Sequence, residues 1–212
     1  MTTREVFLAS GNAHKAAELA ALAETAGLGW TMASARALGG MPEVVEDMGT
    51  FEGNARKKAW ALRAIAPAGA AVLADDSGLC VEALGGAPGV ESAYYAGPAG
   101  DAAANLTKLV KTMRGVPAAK RRAAFVCVLV WLGPGGEEYI FEGRCEGRLL
   151  ETPQGEAGFG YDPLFAPEGY AASFAQLGDV VKHTLSHRGR AWARLVEWAR
   201  GQTTTFSTTI GH

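Results

Sequence analysis

The chain has 212 residues, 48% of them hydrophobic and 20% charged, with a formal net charge of −2 at pH 7. That is enough for one domain, or a domain with a second lobe, built around a true hydrophobic core. The near-neutral balance argues against the basic face of a nucleic-acid binder. Three widely spaced cysteines, Cys80, Cys127 and Cys145, form no CxxC pair and so make neither a disulfide framework nor a zinc site.

In chain order, residues 6–9 read as a short buried strand, and Ser10-Gly11-Asn12 turns it into a helix from about Ala13 to Ala26, stopped by Gly27. A weak strand follows at 29–33. Residues 34–49 read as loop with acids at Glu43, Glu46 and Asp47. Thr50 is placed as the N-cap of a helix that runs to about Ala66 and is ended by Pro67. The apolar run 70–74 predicts a buried strand that Asp75-Asp76-Ser77-Gly78 brings to an end. Residues 80–100, rich in Gly and Pro but punctuated by Leu84, Val90, Tyr94 and Tyr95, read as an ordered loop or lid. A helix is expected over 101–114. Strands at 122–132 and 138–146, joined by Gly133-Pro-Gly-Gly136, form a hairpin. Residues 152–170 are again Gly- and Pro-rich. The last helix is expected over 190–200, with a frayed Thr-rich tail over 201–212. The start of the chain lacks the apolar core of a signal peptide, and its longest apolar run, 123–132, is too short to span a bilayer. The expectation is a single soluble, cytoplasmic domain with a mixed α/β sheet, two lobes and a cleft between them.

Several segments can carry chemistry. Ser10, Gly11, Asn12, Ala13, His14 and Lys15 form a strand-to-helix junction whose N–H groups and lysine suit a phosphate. It is not a P-loop, and alone it also reads as an ordinary Asn or Ser cap with a solvated lysine. Asp75 and Asp76 are adjacent carboxylates placed where a strand ends, where α/β sheets bind ligands. They repel unless neutralised, and a divalent cation carrying a phosphate ester is the economical answer. Alone they could equally be a capping and turn pair. Glu43, Glu46 and Asp47 read by default as a solvated face, and Lys57 and Lys58 as exposed helix lysines. Gly158-Phe159-Gly160-Tyr161-Asp162-Pro163 is either a plain aromatic turn or a ring that stacks on a flat base. Ser186-His187-Arg188-Gly189 leads into the last helix. Cys80 lies near the acids but has no histidine near it in sequence, so it is not read as a nucleophile. Phosphate junction, acids, aromatic turn and His-Arg pair together suit a nucleotide.

Ser10-x-Asn12-x-x-Lys15, Ala74-Asp-Asp-Ser-Gly-Leu79, Gly85-Gly-Ala-Pro-Gly-Val90, Gly158-Phe-Gly-Tyr-Asp-Pro163 and Ser186-His-Arg-Gly189 occur in the order seen in the inosine triphosphate pyrophosphatase family, which the chain resembles over roughly 5–200, in its bacterial form. The resemblance implies an elongated, two-lobed fold with a central nucleotide cleft, usually a homodimer. It also implies Mg2+-dependent hydrolysis of ITP, dITP and XTP to the monophosphate and pyrophosphate. By the same resemblance, Ser10, Asn12, Lys15 and Lys58 hold phosphates. Asp76 is the catalytic acid and a metal ligand, Glu46 is a second ligand, and Ser77 touches the substrate. Phe159, Gly160, Tyr161, Asp162, Lys182, His187 and Arg188 form the base and sugar side. Tyr94 departs from the family, which often has Arg there. Two rival readings stay open: a pyrophosphatase for pyrimidine or modified nucleotides, and a non-catalytic nucleotide sensor.

Overall fold

The structure, a computed structural model, describes residues 4–207. The elements are β1 (Arg4–Ala9), α1 (Ala13–Ala26), β2 (Trp30–Ser34), α2 (Phe51–Arg63), β3 (Ala71–Val81), α3 (Ala102–Thr112), β4 (Arg122–Leu132), β5 (Glu138–Leu149), β6 (Phe165–Pro167), α4 (Phe174–Leu185) and α5 (His187–Ser207). The strands form one mixed sheet in the order β2-β1-β3-β4-β5-β6, with β1 parallel to both β2 and β3 and β5 antiparallel to β6. The mixed-sheet α/β class expected from the sequence is the class found.

The chain divides into two compact units, and the division passes through β3 between Asp75 and Asp76, β4 between Cys127 and Val128, and β5 between Glu142 and Gly143. The first unit holds β1, β2, α1, α2 and the chain from Ala191. Its core packs Phe7, Ala9, Val72, Ala74, Val128, Val130 and Leu132 against Ala55, Ala59 and Leu62 of α2. Alanines four apart let the helix approach the strands closely. β4 is buried almost end to end, which is why it reads as an unbroken apolar run. Trp30 stacks on Trp131 at 4.5 Å between ring centroids.

The second unit gathers Leu79, Val81, Leu109, Met113, Phe125, Cys145, Leu149, Tyr161, Phe165 and Phe174. Buried Arg121 ties it together, donating to the carbonyls of Met113 (2.9 Å) and Leu149 (3.0 Å), as well as those of Val116 and Leu150. Met113 is the C-cap of α3, so the guanidinium there meets a carbonyl with no partner inside the helix.

Several expectations change. β3 does not end at Ala74 but runs through both acids to Val81, so Asp75 and Asp76 sit within a strand rather than beyond its carboxyl end. Asp75 and Ser77 persist there because their side chains find partners, Lys15 and Arg188. α4 was not expected. Its start is marked by Ser173, whose N–H bonds Gln176 Oε1 at 3.0 Å, a capping pair just beyond the Gly- and Pro-rich stretch 152–170, where no element was assigned. Gly178, at φ 76° and ψ 170°, interrupts its helical backbone, which masks the helical period. Finally, α5 begins at His187 rather than 190 and passes the expected end at Arg200 to reach Ser207. The expected tail is therefore helical through Ser207, and its remainder, 208–212, lies outside the described residues. Among the described residues no helix is long and apolar enough to cross a membrane.

Candidate active site

In the first unit, β1 delivers Ser10 to the mouth of α1. Asn12 is the N-cap, and its Oδ1 accepts from the N–H groups of His14 (2.9 Å) and Lys15 (3.2 Å). The Asn12 N–H in turn bonds Ser10 Oγ at 3.2 Å. Three N–H groups expected to face a phosphate are thus already engaged. Gly11, Asn12, Ala13 and His14 are exposed. The Lys15 ammonium reaches Asp75 Oδ1 at 2.8 Å.

That contact changes the reading of the two acids. Successive residues of a strand point to opposite faces, so Asp75 and Asp76 do not converge, and Asp75 is neutralised by a lysine of the chain itself.

The acidic loop is organised by α2 rather than left as a solvated face. Lys58, expected to be exposed, is buried and bonds Glu46 Oε2 at 2.9 Å. Lys57 donates to the Val45 carbonyl (2.9 Å) and Asp47 Oδ1 (2.6 Å), and this hydrogen bond, with the lysine charge, holds the Asp47 carboxyl below the ordinary carboxylate value. Asn54, buried one helical turn before Lys58, accepts the Met48 N–H at 3.1 Å. Sequence reasoning missed Asn54. The available signal was two polar residues four apart on the face of α2 that also carries Ala55, Ala59 and Leu62.

In the second unit, Asp76 and Arg188 are both buried, Arg188 to 1% exposure. Arg188 Nη2 donates to Ser77 Oγ at 2.9 Å, and the His187 ring stacks on Phe125 at 4.8 Å. The start of α5 packs tightly. Gly189 donates to Ser186 Oγ at 3.1 Å, and a Cβ on it would collide with the His183 carbonyl oxygen.

The aromatic turn is a second organised element. Asp162 Oδ2 accepts from the Phe159 N–H (2.9 Å) and from Lys182 Nζ (2.7 Å), while the Lys182 ammonium lies 4.5 Å from the Phe159 ring centroid. Tyr161 belongs to the core. Its hydroxyl donates to the Ser92 carbonyl at 2.8 Å, and burial, with Tyr95 nearby, raises its pKa. Phe159 and Gly160, partly exposed, are the part of the turn open to a flat ligand. Ser92, whose Oγ accepts the Leu79 N–H at 2.9 Å, links this turn to β3 and was not singled out from sequence.

Glu46 in the first unit and Asp76 in the second each carry carboxylate oxygens, the hard donor type that Mg2+ takes.

What fold and side chains define is a mixed α/β protein that carries carboxylate–lysine pairs in its first unit and a cation-capped aromatic turn in its second. Comparison with known proteins narrows this. The chain belongs to the Ham1 family, whose model matches residues 6–198. It is 59% identical over 200 residues to the dITP/XTP pyrophosphatase of Opitutus terrae, covering 92% of this chain and 98% of that protein. Among solved structures it is similar to the Staphylococcus aureus Ham1 protein (TM-score 0.81, 35% identity, 94% of this chain and 100% of that one). It is also similar to the nucleoside-triphosphatase / dITP/XTP pyrophosphatase of Mycobacterium abscessus (TM-score 0.72, 41% identity, 90% and 97%).

Proposed function

We propose that this chain is a nucleoside-triphosphate pyrophosphohydrolase that removes dITP, ITP and XTP from the cytoplasmic nucleotide pool, converting each to its monophosphate and pyrophosphate. The observation that carries the reading is the 59% identity to a dITP/XTP pyrophosphatase over 92% of this chain. Lys15 and Lys58 face the charge of the triphosphate, with Ser10 and Asn12 shaping the turn that receives it. Glu46 and Asp76 would hold Mg2+, which would supply charge neutralisation to the phosphates. Asp76 orients and deprotonates the water that attacks the α-phosphorus. Phe159, Gly160, Asp162, Lys182, His187 and Arg188 make the base and sugar side, with the Phe159 ring offering a stacking face. The active form is a homodimer, and a monomeric mass by light scattering at micromolar concentration would count against that part.

The deciding experiment is a panel of nucleoside triphosphates with Mg2+, scored for pyrophosphate against orthophosphate. dITP should yield dIMP and pyrophosphate. Primary formation of dIDP and orthophosphate sinks the reading, and binding without turnover would make the chain a sensor.

A further inference from the structure

We propose that Asp75 is a positioning residue, whose buried carboxylate holds the Lys15 ammonium in place for the triphosphate; this deepens the pyrophosphohydrolase reading and rests on it. The Asp75 side chain is 0% exposed and the Lys15 side chain 15%, with 2.8 Å between Nζ and Oδ1. A carboxylate out of reach of solvent is poorly placed to take a ligand from outside, whereas an ammonium with one of its three donors on Asp75 keeps two for another partner. Strand alternation sends Asp75 and Asp76 to opposite faces of β3, so the adjacent acids take separate tasks.

The start of α1 makes the aim of this lysine matter. The N–H groups of Asn12, His14 and Lys15 are committed to Ser10 Oγ and Asn12 Oδ1. The helix mouth therefore offers an anion less than an uncapped one would, and Lys15 supplies the full positive charge of that turn. A lysine head on a flexible four-carbon stem is an imprecise phosphate ligand unless something restricts it. Asn12 fixes its backbone and Asp75 fixes its tip. Stability alone is a weak reason to keep such a pair, because a buried ion pair is often no better than apolar residues of the same size.

The test is a double-mutant cycle on the full chain: wild type, Asp75→Asn, Lys15→Met and the double variant. Folding is checked by circular dichroism. The readouts are kcat/KM for dITP and the affinity for inorganic tripolyphosphate measured by calorimetry without metal. Asp75→Asn keeps shape and one acceptor but loses the charge. It should lower kcat/KM about ten- to a hundredfold, the scale of a misplaced reacting group, and weaken tripolyphosphate binding. In the Lys15→Met background the same substitution should change neither quantity. Losses that multiply in the double variant, or wild-type behaviour of Asp75→Asn, overturn the proposal. A folding failure of Asp75→Asn leaves the comparison of Lys15→Met with the double variant, where unequal affinity overturns it. A wild-type chain that binds tripolyphosphate but releases no pyrophosphate from dITP refutes the pyrophosphohydrolase reading alone, and the binding arm still decides the role of Asp75. A wild-type chain that does not bind tripolyphosphate refutes the proposal.

Discussion

Replacing Asp162 by Ala removes the carboxylate that Lys182 meets at 2.7 Å and that the Phe159 N–H meets at 2.9 Å. Both charged side chains are within about 5% of full burial, so solvent cannot substitute for the lost partner. Breaking a buried pair from one side costs about 3–5 kcal/mol, most of it the penalty of the charge left behind. At this chain length each kcal/mol lowers Tm by about 2–4 °C, so the expected fall is about 6–20 °C. Thermal and urea unfolding measure it. Asp162→Leu combined with Lys182→Met removes both charges and should recover most of the stability. It should not recover activity on dITP, because the cation over the Phe159 ring and the anchor of the turn are both gone. A fall of less than about 1 kcal/mol for Asp162→Ala, as expected of an exposed pair, would refute the reasoning. So would a double variant no more stable than the single one.

Asp76→Asn should leave the fold intact and lower kcat for dITP by about 10²–10⁴, the usual contribution of a positioned base; near-normal turnover in the folded variant removes Asp76 from that role. Arg188→Ala should lower kcat/KM for ITP about ten- to a hundredfold while changing ATP little, since donors facing a 6-keto group would meet an unpaired 6-amino group in adenine at about 1–3 kcal/mol per mismatch. Equal slowing of both substrates would assign its guanidinium to Ser77, beside Asp76, instead of to the base. The Cys145 thiol is pushed up by burial from 9.0 to about 11. The folded state therefore keeps a proton that the unfolded chain gives up above pH ~9, and stability should fall as pH rises from about 9 to about 11. Urea midpoints across that window check this, and Cys145→Ala should flatten the decline.

Local chemistry was legible wherever neighbours in sequence decide it. Asn12, Thr50 and Asp101 accept helix N–H groups as N-caps of α1, α2 and α3, and Gly133–Gly136 closes the β4–β5 hairpin with the Gly136 N–H on the Gly133 carbonyl. These features need only a side chain and backbone a few residues away. The identity of the site's residue types, and through them the family, was legible for the same reason: short segments in a fixed order carry it.

What residues far apart in the chain do to one another required the tertiary structure. Asp75 and Asp76 looked like one repelling pair because sequence adjacency hides strand alternation, and because Lys15 lies sixty positions away. Lys58 looked exposed because nothing local says that Glu46 turns back onto α2. Tyr161 looked like a stacking surface, yet Ser92 draws its hydroxyl into the core. Pattern determines which residues can be polar, helical or extended. Which charges meet out of water is set by packing, and there a pairing at 2.8 Å and its absence differ by enough to decide the role of a residue.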